Sequence, residues 1–576
     1  MITRMNQGRL LFICIPVLLF FNPLLITLFL DTGISQPDTF VYIAEARNIQ
    51  EHFIFNTGPW GHVDTVIIVP PLYPALIALL TFLDIDPLDA ALLVSQLTGL
   101  FFSVIAFLYV RSFTSVLVAL VSVLSIQLSY VYFNYFSMAL TEALFTCLTL
   151  GSLYFLKQII SNEHAGKFQY LSLGILSGLV FLTRELGISV IIFISAYMLV
   201  TDLARKGVSI RKYVLLFAGF AVLVVPYYSL RYIQTGQEPL STSYRAGNYS
   251  VNVSDQTVLD EIELIKQEKS EEYHDAYRKR RALMKLLPDG SEMLRNIIVE
   301  KNDNRVEESS GFLDSLRIFK LLANPVRYIN NVGDKLGLLA TSLGTGLFLL
   351  FIMLIVIMVF DRYGRSKHIR LIIPGYIVVY LLVVSMFDTE ISRYVEILCP
   401  LVLLFISIEL FSLCRSISKY LPAQKPIQVT LLLVFLLPVV VVAGTPQLFY
   451  EKKIYRKNPG LVEKLEELGQ AVNREPVFTL FPSYAYSVNG DFRTLPNDSL
   501  DKIAIYADRT GVNWLLVTKI PSEEEVTKLW DHAYPWLNSG QLAERYGDLV
   551  EYHSGFYDEM SDTDWRLYRF RKRVTE

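Results

Sequence analysis

The chain has 576 residues, of which 52% are hydrophobic and 19% charged, with a mean hydropathy of +0.39. Soluble domains must cover their surface with polar groups, so this composition excludes an ordinary soluble protein. A formal net charge of −3 gives no basic footprint for nucleic acid, and no nucleic-acid partner is expected.

Apolar runs long enough to cross a bilayer fall at roughly 10–30, 88–110, 113–133, 138–156, 168–184, 187–201, 213–232, 336–360, 370–387, 395–413 and 427–444. Arg4 and Arg9 precede the first run as they would in a signal peptide. The run is nevertheless of full spanning length with no small-residue cleavage site, so it reads as a retained helix. Leu72 to Leu83 is apolar but too short to span. It follows Pro70-Pro71 and contains Pro74, which suits an interfacial or re-entrant helix. The four cysteines, Cys14, Cys147, Cys399 and Cys414, lie in or beside apolar runs, which argues against a disulfide framework or a Cys-x-x-Cys metal site.

Charge checks this assignment. With about eleven spans and a cytoplasmic N-terminus, the basic connections all fall on one side. They carry Arg111; Lys157 and Lys167; Arg205, Lys206, Arg211 and Lys212; Arg362, Arg365, Lys367 and Arg370; and Arg415, Lys419 and Lys425. That is what the positive-inside rule requires, and counting 72–83 as a span would break it. The same parity sends segments 31–87, 134–138, 233–335 and 388–394 to the extracytoplasmic face, together with everything from 445 onward.

The expected architecture is therefore an α-helical polytopic membrane protein with a small soluble α/β C-terminal domain. Residues 1–444 form the membrane domain, with a first external loop at 31–87 and a large one at 233–335. The latter has a charged helical stretch near Glu261 to Leu287. In 445–576, β-prone runs (Pro476–Leu480, Trp514–Thr518, Trp565–Phe570) alternate with helical ones (Leu500–Asp508, Ser522–His532). No Gly-rich phosphate loop, HExxH or GxSxG occurs there, and no internal repeat supports an inverted-repeat transporter.

Five segments place charge at the external face. Asp31 sits where the first run leaves the membrane. Asp38 follows Pro37 and is expected to open a helix as its N-cap, with Tyr42 four residues along the same face. Glu142 lies at or just inside the external end of a span, where an acid needs a partner or a water-filled cavity. Arg184 and Glu185 stand between two short spans; Arg184 suits bidentate phosphate binding, or a salt bridge to Glu185 or Glu142. Arg393 and Tyr394 lead back into the membrane, and Arg231 ends the seventh span. Interfacial Arg and Tyr are common anchors, so the weight lies in the convergence of two acids and three arginines on one face.

Such a cavity suits an amphiphile with an anionic head, and a polyprenyl-phosphate sugar fits. Its tail lies in lipid, its phosphate meets arginines, and a carboxylate deprotonates the acceptor hydroxyl as the anomeric carbon is attacked. His52, His62 and Asp64 share the first loop and could ligate a divalent metal, but solvated histidines are commoner, and no metal or other cofactor is expected.

The motifs Pro37-Asp38 with Tyr42, Pro70-Pro71-Leu72-Tyr73-Pro74, Thr141-Glu142, Leu182-Thr183-Arg184, and Pro226 with Arg231 and Gly236 resemble type C (GT-C) membrane glycosyltransferases. Within that class they are most similar to the protein O-mannosyltransferase and lipid A aminoarabinose transferase superfamily. The resemblance implies that Asp38 is the catalytic acid of the first loop and Glu142 a second acid lining the cavity. It also implies that Arg184 and Arg393 are donor-phosphate ligands, with Tyr42, Tyr73, Arg231 and Tyr394 on the substrate side. The acceptor would be a lipid, a glycan or a protein. Asp38 is followed by Thr39 rather than a second acid, which speaks against a metal-dependent variant. A transporter or lipid flippase, or a scaffold protein, are the competing classes. Charge clustered at one face rather than the midplane argues against the first, and the intramembrane Glu142 and Arg184 against the second.

Overall fold

In a computed structural model, the protein is described at residues 37–53, 55, 69–127, 129–162, 166–205, 207–235, 286, 325–360, 367–386, 393–417, 459–479, 482–496, 498–519, 536, 547–558 and 563–571. The expected spans 10–30 and 427–444, Asp31, and the helices near 261–287 (Leu286 apart) and 522–532 lie outside these residues. The chain forms two compact units. The first contains 1–39, 69–239 and 317–453; the second contains 40–68, 240–316 and 454–576.

The first unit is helical. After α1 (Pro37–His52), which begins in it, come α2 (Leu72–Thr81), α3 (Pro87–Arg111), α4 (Val116–Gln127), α5 (Tyr130–Ser137) and α6 (Thr141–Ser161). Next are α7 (Lys167–Thr183), a 3₁₀ turn (Glu185–Gly187), α8 (Ile188–Ala204) and α9 (Ile210–Thr235). Then follow α10 (Pro325–Leu343), α11 (Thr345–Phe360), α12 (Lys367–Arg370), α13 (Ile372–Val384), α14 (Arg393–Glu396) and α15 (Cys399–Ile417). Among the described residues, five helices are long and apolar enough to span a bilayer, or six if one bent pair is a single span. The protein is an integral, multi-pass membrane protein, as composition required.

Local chemistry sets the helix ends. Asp86 caps α3 through its carboxylate, which accepts from the Leu88 amide at 2.8 Å, and Pro87 opens the helix. Leu72–Thr81 is a short separate helix, as expected, pinned to α3 by the buried Tyr73 hydroxyl, which donates to the Ala91 carbonyl at 2.8 Å.

Two expected spans are broken. The run 113–133 divides into α4 and α5, because Ser129 takes an extended conformation and caps α5, its hydroxyl accepting from the Tyr132 amide. The run 336–360 divides at Gly344, whose φ of +77° is open to glycine and strained for other residues. The helix axis bends by 114° at this break. Hydropathy is continuous across both breaks, so an apolar run did not reveal them.

Helices α7 and α9 pack backbone to backbone. A Cβ on Gly174 would lie 2.0 Å from the Leu216 carbonyl oxygen, and one on Gly219 would lie 2.2 Å from that of Leu171. Gly174 and Gly178 have the small-xxx-small spacing that lets membrane helices approach closely. This contact fixes α7, whose C-terminal end delivers Arg184. Gly219→Ala is expected to cost about 1–3 kcal/mol, the usual range for overpacking, read as a lower unfolding midpoint in detergent.

One of the expected basic connections is not exposed. Arg370 is buried and pairs with Glu409 at 2.8 Å, while also donating to the Ser412 hydroxyl at 2.8 Å.

In the second unit, α16 (Pro459–Val472), β1 (Pro476–Thr479), α17 (Pro482–Ser487), β2 (Asp491–Thr494), α18 (Leu500–Thr510), β3 (Trp514–Lys519), β4 (Val550–Asp558) and β5 (Thr563–Phe570) build a five-stranded sheet. The strand order is β2-β1-β3-β5-β4. β1 pairs parallel with β2 and β3, and β5 pairs antiparallel with β3 and β4. One core of the sheet holds Phe478, Ile503, Tyr506, Leu515 and Phe570; another holds Val472, Val477, Trp514 and Trp565. The α/β reading of this region holds, with each predicted strand within two residues of an observed one.

Candidate active site

Four charged side chains from four separate segments meet at one end of the first unit. Asp38 stands in the first turn of α1, one residue inside the helix rather than capping it. Thr39 beside it donates to the Ala139 carbonyl at 2.9 Å, tying the start of α1 to the corner before α6. Glu142 occupies the first turn of α6, where the positive end of the helix dipole favours an acid. Arg184 leaves α7 in an extended conformation (φ −153°, ψ 138°), so its side chain departs from the helical path. The following turn brings Gly187 against the backbone of Val180 and Phe181, where a Cβ would come within 2.6 Å. Arg393 begins α14.

The charges form a chain. Asp38 Oδ2 pairs with Arg393 Nη2. Arg393 Nε lies 3.8 Å from Glu142 Oε1, and the same oxygen is 2.7 Å from Arg184 Nη1. Arg184 also donates to the Thr141 hydroxyl at 3.1 Å. Both guanidinium groups lie over the Tyr394 ring, at 4.9 Å for Arg184 and 5.8 Å for Arg393. Like charges so close require counter-charge, and Glu142 with the ring face supplies it.

Exposure falls steeply along this chain. The Asp38 and Arg393 side chains are 40% and 30% exposed, whereas those of Arg184 and Glu142 are 3% and 1%. The outer pair is accessible to a reactant; the inner pair is a buried ion pair that holds its geometry.

Of the residues singled out in sequence, the structure thus brings Asp38, Glu142, Arg184, Arg393 and Tyr394 together. Tyr42 is buried one helical turn after Asp38, in the second unit. Tyr73 is fully buried between α2 and α3 and serves their packing. Arg231 has helical backbone in α9, and its side chain lies outside the described residues, as do His62 and Asp64. Glu185 is half-buried in the turn after Arg184, while the ion pair of Arg184 is to Glu142.

Three further residues support the cluster. The Tyr380 hydroxyl donates to the Tyr394 carbonyl at 2.8 Å, fixing the short helix that presents the ring. The Tyr135 hydroxyl donates to Glu396 Oε2 at 2.5 Å, anchoring the last residue of α14. Glu396, three residues after Arg393, carried a helical-spacing signal; the tyrosines, in aromatic-rich runs, carried none.

Residues 69–229 match the family described as dolichyl-phosphate-mannose-protein mannosyltransferase. No protein of curated function matches the chain by sequence. In three dimensions the chain is similar to ArnT from Cupriavidus metallidurans bound to undecaprenyl phosphate. The TM-score is 0.56 at 11% identity, covering 98% of this chain and 99% of that one. Its apo state gives 0.50 at 11% identity, with 92% and 93% covered. The Archaeoglobus fulgidus oligosaccharyltransferase in complex with Zn and sulfate gives 0.50 at 11% identity, covering 91% of this chain and 68% of that one.

Proposed function

Because this chain has the GT-C fold of membrane glycosyltransferases, we propose that it transfers a sugar from a polyprenyl-phosphate-linked donor to an acceptor at the extracytoplasmic face of the membrane. The observation that carries this reading is the Asp38–Arg393–Glu142–Arg184 chain, with its outer pair accessible and its inner pair buried. The match of residues 69–229 to a lipid-phosphate mannosyltransferase family supports it, as does undecaprenyl phosphate bound to a protein of similar fold.

Arg393 is the donor-phosphate ligand, backed by Arg184. Asp38 pairs with Arg393. An arriving phosphate diester competes for the same guanidinium and releases the carboxylate, so donor binding frees the base. Asp38 then accepts the proton of the acceptor hydroxyl while its oxygen attacks the anomeric carbon. The bond from that carbon to the phosphate oxygen breaks, and its electron pair leaves with polyprenyl phosphate. The two arginines stabilise the negative charge that develops there. One direct displacement inverts the anomeric centre. Glu142, nearly inaccessible, acts by holding the two guanidinium groups rather than by meeting the acceptor.

Donor recognition is tested by binding a polyprenyl phosphate, with the polyprenyl alcohol as control. Arg393→Gln is expected to weaken the phosphate lipid by roughly tenfold or more, the scale of a charge-assisted hydrogen bond, and to leave the alcohol unchanged. Equal binding of both lipids by the wild type would overturn the assignment.

A further inference from the structure

The end of the first unit opposite the Asp38 cluster carries a second polar site that sugar transfer does not use. A pocket of about 270 Å³ opens where four helix ends meet: the last turns of α6 and α8 and the first turns of α7 and α9. From Glu142 to Ile160 along α6 is roughly 27 Å at helical rise, close to the thickness of a bilayer's hydrocarbon core. The pocket therefore sits at headgroup level in the other leaflet, the one that the positive-inside pattern assigns to the cytoplasm.

Its described lining contains Lys167, Arg205, Arg211 and Lys212 against a single acid, Asp202. Asp202 is buried and already engaged: it pairs with Lys212 at 3.0 Å and accepts from the Tyr213 hydroxyl at 3.3 Å. That contact fixes Lys212 at the pocket floor. Lys167, Arg205 and Arg211 are exposed at the mouth, where Arg205 also donates to the Ile160 carbonyl at 3.4 Å. The rest of the lining is mixed: an apolar strip of Ile159, Ile160, Met198 and Leu215 runs beside Asn162, Tyr170, Thr201 and Ser209. The outer faces of α8 and α9 beside it expose Val200, Leu203, Ile210 and Val214 to the surroundings.

A free anion would need only the cations. Cations at a mouth that is continuous with an apolar strip and a lipid-facing surface match an amphiphile. We infer that this pocket binds the phosphodiester headgroup of an anionic phospholipid in the leaflet facing away from the transfer site. The headgroup engages Lys167, Arg205, Arg211 and Lys212, and its glycerol and upper acyl carbons lie on the apolar strip. This goes beyond sugar transfer and does not depend on it.

The test uses the full chain in nanodiscs of phosphatidylcholine doped with phosphatidylglycerol, with retained lipid measured by native mass spectrometry. Wild type is expected to retain phosphatidylglycerol over phosphatidylcholine. Lys167→Gln with Arg211→Gln, both at exposed positions, should reduce that preference by roughly thirtyfold, given about 1 kcal/mol for each cation near an anionic surface. Arg111→Gln with Lys157→Gln removes the same charge outside the pocket and should leave the preference intact. An equal loss in both double variants would show diffuse attraction and overturn the site. Displacement of the lipid by an equal concentration of soluble glycerophosphate would overturn its assignment to a lipid.

Discussion

Asp38→Asn is expected to lower kcat for sugar transfer by roughly 10²- to 10⁴-fold, the range attributed to a positioned general base. The amide has nearly the shape of the carboxylate but cannot take the acceptor's proton. The donor KM should stay unchanged or fall, because the substitution releases Arg393 from its ion pair and leaves it to the phosphate. If Asp38 served only to hold Arg393, the opposite pattern would follow: donor KM would rise and kcat would hold. Stability should change little, since both side chains of this pair are partly exposed and such pairs contribute at most about 1 kcal/mol. Steady-state kinetics on purified protein, with a thermal midpoint measured in parallel, separates these outcomes.

The second large effect concerns stability. Glu142→Gln removes the counter-charge of Arg184 at a site where the two side chains are 1% and 3% exposed. Breaking a buried pair by neutralising one partner typically costs about 3–5 kcal/mol, because the remaining charge stays desolvated. The Thr141 hydroxyl and the Tyr394 ring still contact Arg184, which places the expected cost toward the lower end of that range. Neutralising both partners, as Glu142→Gln with Arg184→Met, should recover much of the stability while transfer remains lost. Unfolding midpoints in detergent, compared across the two single variants and the double, check this. A stable and fully active Glu142→Gln protein would remove the buried pair from the account.

The parts of this architecture that were legible in sequence are those where one physical signal dominates. Long apolar runs marked the membrane helices, and the short β-prone run Trp514–Thr518 was read within a residue of its observed end. Breaks inside apolar runs were not legible, because hydropathy is blind to the backbone conformation at Gly344 or Ser129. The close approach of α7 and α9 had a signal in the spacing of Gly174 and Gly178, but only the facing Gly219 gives that spacing its meaning.

The site divides in the same way. Glu142 and Arg184 stand out because a charge in an apolar context is costly and needs a reason, whereas Asp38 and Arg393 gain weight from converging on the same face. Which acid meets which arginine was open, and the structure pairs Arg184 with Glu142, on a different helix. Tyr135 and Tyr380 could not be picked from their sequence, since buried tyrosines in helices are ordinary packing residues until their hydroxyl partners are known.

The central claim is tested most directly by incubating the purified protein with a panel of synthetic polyprenyl-phosphate sugars and extracted acceptor, and measuring released polyprenyl phosphate. The account predicts release with at least one donor by the wild type, and loss of that release in Asp38→Asn. Movement of intact donor across a liposome membrane without release, unaffected by Asp38→Asn, would contradict it and leave a transporter in its place.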